Sequence, residues 1–315
     1  MTRYVARRLL HGILVMWIVS TAVFVIFRLV PGDPAAMTLG FDASPADYEA
    51  LREELGLNDP IHVQYLRWMG NLARGDFGKS ITHGYAEVSS LVFPALGRTL
   101  ELAALSILLA VIVAVPLGMI SAIREGTWVD HVARVFTTLG FSMPTYVMGI
   151  GLLILLAEVF PLLPPGGYVP FGEDPVKHLS QLIMPVLTIA SVTAARLTRF
   201  MRAGMLEVLS ADYVRTARAK GLTERRVNYW HAFRNAAIPL VTEVGVNFGL
   251  LVGGMVVIEQ IFIWPGLGWL MIQSILTRAF DVVQIAVLVS AATFVIVNLL
   301  VDLTYSWLDP RIARS

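Results

Sequence analysis

The chain contains 315 residues, of which 56% are hydrophobic and only 15% are charged, and its mean hydropathy is +0.69. Soluble domains carry about 25% charged residues, so this composition excludes an ordinary soluble enzyme. A net charge of +1 argues against nucleic-acid binding, and the lack of cysteine excludes disulfides and thiolate metal sites.

Six apolar runs are long enough to cross a bilayer, whose core of about 30 Å takes about 20 helical residues. They cover residues 9–30, 99–122, 135–160, 179–198, 237–262 and 282–307. The first run follows three arginines, as a signal peptide would, but it exceeds the roughly 7–15 apolar residues of such peptides and is predicted to stay uncleaved. The sequence therefore predicts an all-α integral membrane protein with six spans.

Basic residues set the expected orientation of these spans, because Lys and Arg concentrate on the cytoplasmic side. Sixteen of the 24 Lys and Arg residues lie in the N-terminal segment, around Arg124, in the stretch 196–234 and in the tail. Six lie in the three opposite segments. Both termini are therefore predicted to be cytoplasmic.

The stretch 31–98 is the one sizeable segment on the predicted outer side, and it carries two amphipathic helix patterns. Ser44-Pro45 should begin the first helix and Gly56 should end it, while Asp59-Pro60 should begin the second. The apolar stripe of the second helix consists of Ile61, Tyr65, Trp68, Met69 and Leu72. The segment is interpreted either as a structural cap or as a contact for a protein that delivers a solute.

No catalytic motif is recognisable in the sequence. Gly78-Lys79-Ser80 looks like the end of a phosphate-binding loop, but Ala73 stands where that motif requires glycine. The six histidines form no H-E-x-x-H pair, and no G-x-S-x-G is present, which argues against a membrane protease. Any ATP chemistry is therefore expected to belong to another polypeptide.

The third span contains Ser142-Met143-Pro144. Pro144 should bend the helix, because proline removes a backbone donor and crowds the preceding turn. Such a bend can shape a cavity or can simply serve packing. On the first interpretation Ser142 is a candidate residue of a translocation path.

The fifth span carries two patterns on different faces. Gly245, Gly249 and Gly253 recur every four residues and predict a groove for close helix packing. Glu243 and Asn247 lie one turn apart on another face. A carboxylate inside a span is costly unless it is paired or hydrated, so these two residues either line a polar path or form a structural hydrogen bond.

Four acidic residues lie in or near the ends of the spans, namely Glu101, Glu158, Glu259 and Asp302. Most of them are expected to pair with arginine or backbone groups, and the alternative is that they bind substrate. The Pro- and Gly-rich string Trp264-Pro265-Gly266-Leu267-Gly268 could close a cavity at membrane depth or form an ordinary loop.

The string DYVRTARAKGL, from Asp212 to Leu222, lies in the most basic segment. Its acidic start and Gly221 predict a short helix with a defined end. The small residues Ala217 and Ala219 would let the backbone enter a groove on a partner protein. The basic residues at the rim of that contact would be Arg215, Arg218 and Lys220. The alternative is a solvated basic helix close to anionic lipid.

The same string resembles the coupling loop of permease subunits of ABC importers for dipeptides, oligopeptides and nickel, in the oligopeptide permease B branch. Other strings that resemble this family follow in the same order along nearly the whole chain. They are PGDP at 31–34, LGLNDP at 55–60, RGDFGKS at 74–80, HAFRNAAIP at 231–239, IFIWPGLG at 261–268 and LDPR at 308–311.

The resemblance implies the type I ABC importer permease fold. Residues 1–30 would form a tail and the first span, and 31–98 an extracytoplasmic insertion. Residues 99–307 would form a five-helix core that includes a cytoplasmic coupling loop at 199–236, and 308–315 a cytoplasmic tail.

The resemblance also implies a complex in the inner membrane of a prokaryote, surrounded by lipid. Its other members would be a second, similar permease, two cytoplasmic ATPases that bind ATP and Mg²⁺, and an extracytoplasmic substrate-binding protein. The chain itself would bind no metal or other cofactor and catalyse no reaction. The residues implied to meet an ATPase are Asp212, Tyr213, Arg215, Thr216, Ala217, Ala219, Gly221 and Leu222.

The expected substrates are peptides of the dipeptide or oligopeptide class, with nickel or another small solute as the alternative. Composition alone also allows a secondary transporter. Such proteins usually contain an inverted repeat with broken helices in corresponding halves. The sequence contains no convincing repeat of this kind.

Overall fold

The computed structural model of the chain describes residues 2–29, 44–54, 56–80 and 82–308, and most of these residues are helical. Five helices are long and apolar enough to cross a membrane, and a bent pair of shorter helices raises the number to six if it counts as one span. The predicted all-α membrane architecture is therefore confirmed. The PGDP string and most of the LDPR string lie outside the described residues.

The helices are joined by short connections, with one small pair of strands on the predicted outer side. In chain order the elements are α1 (Thr2–Leu29), α2 (Pro45–Glu54), α3 (Ile61–Ala73), β1 (Lys79–Ser80), β2 (Ala86–Glu87), α4 (Val88–Ile123), α5 (Trp128–Ser142), α6 (Thr145–Leu153), α7 (Pro175–Leu209), α8 (Asp212–Ala219), α9 (Glu224–Arg226), α10 (Phe233–Gly254), α11 (Val256–Ile261), α12 (Leu267–Leu276) and α13 (Phe280–Leu308). A π-helical turn at Ile154–Val159 extends α6. A second π-helical turn, at Val227–Ala232, joins α9 to α10. The two strands pair antiparallel, with Lys79 opposite Glu87.

The predicted helices of the outer segment are present, and the second one lies on α1. The Ser44 hydroxyl accepts the N–H of Asp47 at 3.2 Å, as expected of a residue that begins a helix. The Tyr65 and Trp68 rings of α3 lie 5.3 and 5.5 Å from the Phe24 ring of α1, measured between centroids. This packing favours the structural-cap interpretation, while contact with a delivery protein stays a prediction.

The predicted bend at Pro144 is confirmed. Residues Trp128–Ser142 and Thr145–Val159 form two helical rods that meet at 100°. Met143 is extended between them, with ψ at 124°, because the residue before a proline is driven out of the helical region. The third apolar run is thus two rigid pieces joined at a fixed corner.

The prediction that the fifth span runs to residue 262 is wrong. Helix α10 ends at Gly254, and α11 begins as a separate short helix at Val256. The consecutive glycines 253 and 254 have low helix propensity, and Met255, with ψ at 4°, no longer continues the helix.

A buried carboxylate fixes the segment between α11 and α12. The Thr99 hydroxyl donates to Glu259 Oε1 at 2.6 Å, and the Trp269 N–H donates to Oε2 at 2.9 Å. Thr99 Oγ1 in turn accepts the Leu267 N–H at 2.8 Å, so two backbone groups of the first turn of α12 are satisfied. A Cβ on Gly266 would clash with Glu259. The expectation that Glu259 pairs with backbone groups is confirmed, and the Pro- and Gly-rich string is a packed corner.

Helix α7 is the centre against which α4 and α5 pack. A Cβ on Gly118 of α4 would lie 2.7 Å from Met201 Cβ of α7, and one on Gly140 of α5 would lie 2.5 Å from Ala195 Cβ of the same helix. The lack of a side chain at both glycines therefore lets the three backbones approach closely. Beyond this core, α7 continues unbroken to Leu209, and two connecting residues separate it from α8.

Candidate functional site

The short helix α8 connects the long helix α7 to the helical run that begins at α9. Its inner side chains, Val214 and Ala217, are buried against Val227, with Val208 and Leu222 packed around them. Such a small apolar cluster anchors one face of the helix to the spans on either side. Because it is anchored in this way, α8 should move with those spans.

The opposite face of α8 is exposed. The predicted contact residues that lie on it are Asp212, Tyr213, Arg215, Thr216 and Ala219, and the exposed Gly221 follows the helix. The Tyr213 hydroxyl also accepts the side-chain amide of Asn235 at 2.8 Å, which links α8 to α10. This exposed polar face is open to either alternative, a contact with a partner protein or solvent close to anionic lipid.

Two residues of the predicted contact set do not belong to this face. Ala217 is buried on the inner side, and Leu222 is half-buried against the same cluster. Within the chain both side chains therefore support α8, and their contact with an ATPase stays a prediction. Ala217 follows Val214 by three residues, a spacing that puts both side chains on one helix face.

The end of α8 depends on Gly221. Its φ is +78°, in the left-handed region that side-chain-bearing residues seldom adopt. The Gly221 N–H donates to the Arg218 carbonyl at 2.9 Å, and the Arg218 guanidinium then reaches Glu224 at 2.9 Å. Gly221 thus turns the chain from α8 into α9, as the sequence predicted.

A buried ion cluster joins the predicted cytoplasmic ends of three helices. Asp130 of α5 is fully buried and accepts two hydrogen bonds from the Arg202 guanidinium of α7, at 2.8 and 3.0 Å. The Ser121 hydroxyl of α4 donates at 2.7 Å and the Gly126 N–H at 3.1 Å. The Arg134 guanidinium lies 3.3 Å from Asp130 Oδ2. No pattern in the sequence indicated this cluster.

The candidate path residues divide into a bonded pair and a separate serine. The Asn247 amide donates to Glu243 Oε1 at 2.8 Å and to the Glu243 carbonyl at 2.7 Å, and Arg196 of α7 donates to Asn247 Oδ1 at 3.0 Å. These bonds connect α10 to α7 and favour a structural role. Ser142 is exposed at the end of α5, and its hydroxyl makes no hydrogen bond with the described residues. A path-lining role for all three residues stays a prediction.

The glycine stripe of α10 forms the expected groove at two of its three positions. A Cβ on Gly245 would clash with the Val301 side chain, and one on Gly249 would lie 3.1 Å from the Phe294 ring, both on α13. Gly253 is exposed, and no described atom lies within 4 Å of a Cβ built there. The role of Gly253 in helix packing therefore stays a prediction.

Because Gly245 is closely packed and Gly253 is not, replacement by alanine should affect the stability of the protein differently at the two positions. Gly245→Ala should lower the thermal unfolding temperature of the purified protein, because its methyl group would force α10 and α13 apart at a cost of about 1–3 kcal/mol. Gly253→Ala should leave the temperature unchanged or raise it, since alanine is the better helix former. Thermal melts of both variants in one detergent test this, and equal losses of stability would contradict the packing described.

Two profiles of one family together match almost the entire sequence. The profile described as "Binding-protein-dependent transport system inner membrane component" matches residues 114–314, and the profile of the corresponding N-terminal region matches residues 1–121. The oligopeptide transport system permease protein AppB of Bacillus subtilis is 38% identical over 314 residues, which is 99% of both chains. A protein of Sinorhizobium fredii named as a probable peptide ABC transporter permease is 38% identical over 309 residues, 98% of both chains.

Proposed function

The chain belongs to the family of binding-protein-dependent transport system inner membrane components, and we propose that it is a membrane-spanning permease subunit of an ATP-driven ABC importer for peptides. The relatives' names support a substrate of the dipeptide or oligopeptide class. The structural observation that carries the proposal is α8, a short helix that is anchored on one face and exposed on the other, between two spans. Nickel or another small solute is the alternative cargo for the same kind of complex.

The exposed face of α8 is the proposed contact with a cytoplasmic ATPase. Two such ATPases would bind ATP and Mg²⁺ and supply the energy, and this chain would contribute no catalytic group. A second, similar permease would complete the membrane part, and an extracytoplasmic binding protein would deliver the substrate. The proposed setting is the inner membrane of a prokaryote, with both termini in the cytoplasm.

Transmission of motion through the chain follows from its packing. A push on α8 would act on α7 through the Val214 cluster and on α10 through the Tyr213–Asn235 hydrogen bond. At the same end of α7, Arg202 and Asp130 would carry the motion into α5, whose far end meets α6 at 100°. Rigid helices with a fixed corner convert such a displacement into a change of cavity shape, as alternating access requires.

The turn at Gly221 provides a test of this role for α8. Gly221→Val should reduce ATP-dependent uptake about tenfold, because a β-branched residue is strained in the left-handed region and would displace the end of the helix. Gly221→Asn is the matched control, since asparagine tolerates this conformation. Uptake and ATP hydrolysis are measured in proteoliposomes that contain the whole complex. Equal activities of the two variants would contradict the proposed dependence on the turn.

Charge reversal on the exposed face tests the contact itself. Arg215→Glu should lower the amount of ATPase that copurifies with the chain, because Arg215 is 71% exposed on α8 and reversal of its charge would remove the proposed basic contact at the rim. Arg74→Glu changes the same charge at an exposed position on the predicted outer side and should leave copurification unchanged. Normal recovery of the ATPase with Arg215→Glu would remove Arg215 from the proposed contact.

A further inference from the structure

The two halves of α7 expose different faces. In the outer half, Leu179, Ile183 and Leu187 present apolar side chains at the surface. Leu187 and Arg196 are nine residues apart, and a helix has about 3.6 residues per turn, so these two residues lie on opposite sides of α7. In the inner half, the exposed Arg199 shares the face of the half-buried Arg196. The surface of α7 thus changes from an apolar face near the outer end to a basic face nearer the predicted cytoplasmic end.

The basic face forms the floor of a cleft between α5 and α10. On one side, Ala195 of α7 packs against α5, and the Arg199 guanidinium lies over the Phe141 ring of that helix, 5.0 Å from its centroid. On the other side, Arg196 Nη1 donates to Asn247 Oδ1 of α10 at 3.0 Å. The two arginines therefore lie between the neighbouring helices, and each contacts one of them.

The cleft is closed toward the outer side and open toward the predicted cytoplasmic side. Residues seven and eleven positions from Arg196 share its helix face, because these spacings are close to two and three turns. Toward the outer end they are Ile189 and Pro185, which are buried. Toward the cytoplasmic end they are Ala203 and Glu207, which are exposed. This is the shape expected of the inner end of a path through the membrane.

The arginines lie at membrane depth without a counter-charge in the described part of the chain. Asn247, which Arg196 contacts, is ten residues beyond Ala237, where the apolar run of α10 begins, or about 15 Å along the helix. That distance is about half the thickness of a bilayer core. No described carboxylate lies within ion-pair distance of either guanidinium, and Glu243 reaches Arg196 only through the Asn247 amide. Since charged side chains inside spans mark substrate or ion paths, these arginines should face water and an anionic ligand rather than lipid.

From these observations we propose that Arg196 and Arg199 bind the C-terminal carboxylate of a peptide as it passes through the cleft. A guanidinium group binds a carboxylate through charge-assisted hydrogen bonds, and two such groups one turn apart can hold both of its oxygens. A linear peptide carries this carboxylate whatever its side chains, so the site serves peptides of many sequences. The proposal rests on the proposed import of peptides, and it disfavours a bare nickel ion, which the arginines would repel.

The test compares the binding of two probe peptides to the purified membrane complex, trialanine with a free C-terminus and trialanine amide, by equilibrium dialysis. The wild type should bind the free acid about tenfold more tightly than the amide, because the amide lacks the charge that the arginines recognise. Arg196→Gln with Arg199→Gln should bind both peptides equally. The matched control, Arg74→Gln with Lys79→Gln, removes two positive charges at exposed positions on the predicted outer side and should keep the preference.

Arg196→Lys with Arg199→Lys keeps the charge and should keep most of the preference, which guards against a folding defect in the glutamine variant. The proposal would be overturned if the wild type bound the two peptides equally, or if the glutamine variant still preferred the free acid. Loss of the second permease from the glutamine variant, with the preference unchanged, would assign the arginines to a contact between subunits instead.

ATP-dependent peptide uptake by the same wild-type complex in proteoliposomes separates this proposal from the proposed function. Uptake without a preference for the free acid would reject the carboxylate site alone. A lack of uptake would reject the peptide importer itself.

Discussion

Replacement of Glu259 by alanine is expected to prevent stable folding of the outer end of the protein. The buried carboxylate accepts hydrogen bonds from the Thr99 hydroxyl and the Trp269 N–H, at 2.6 and 2.9 Å. Alanine would leave both donors buried and unsatisfied, at a cost of about 1–3 kcal/mol each. It would also remove the anchor that holds α4 against the first turn of α12.

The measurement is the yield and thermal unfolding temperature of the variants in detergent. Glu259→Gln keeps one acceptor oxygen and places an amide at the other position, so its stability should fall between those of the wild type and Glu259→Ala. Glu158→Ala, at an exposed glutamate, is the control and should behave like the wild type. The anchoring role of Glu259 would be wrong if Glu259→Ala and Glu158→Ala had the same unfolding temperature.

Replacement of Asp130 by asparagine should have an effect of similar size on the other side of the protein. The side chain of Asp130 is fully buried, whereas that of Arg202 is 21% exposed, so loss of the carboxylate would leave Arg202 with the exposed Glu125, at 3.7 Å, as its remaining counter-charge. Breaking such a buried pair from one side costs about 3–5 kcal/mol. Uptake should fall as well, because the ion cluster that links α4, α5 and α7 near α8 would be weakened.

Asp212→Asn provides a control with the same chemistry. Asp212 also pairs with an arginine, at 3.2 Å, but the two side chains are 95% and 71% exposed. Exposed pairs contribute about 0–1 kcal/mol, so this variant should unfold at nearly the wild-type temperature. Thermal melts of Asp130→Asn and Asp212→Asn measure the contrast. An equal fall in the unfolding temperature of both variants would show that the Asp130 cluster does not stabilise the packing of α4, α5 and α7.

The features that could be predicted correctly from the sequence are those set by local rules. The apolar runs had the length of a bilayer span, Pro144 imposed a bend on its own turn, and Gly221 ended α8 because the chain needs a left-handed residue there. The inward position of Ala217 could have been read from its spacing from Val214, which puts both side chains on one face of α8. The small size of its side chain suggested a contact with a partner, whereas burial decided its face.

The features that could not be predicted depend on contacts between distant parts of the chain. Asp130 and Arg202 are 72 positions apart, and Glu259 is 160 positions from Thr99. A single sequence gives no measure of such proximity, so Asp130 looked like any acidic residue in the first turn of a helix. The exposure of Gly253 could not be predicted either. The glycines recur every four residues along α10 whether or not a neighbouring helix extends as far as Gly253.

The most direct test of the proposed importer function is purification of this chain from its native membrane, with identification of its companions and assay of peptide uptake after reconstitution. We predict that ATPase subunits copurify and that uptake of di- or oligopeptides requires ATP. The opposite result would be a chain that purifies alone and transports its solute without ATP, and it would assign the protein to the secondary transporters.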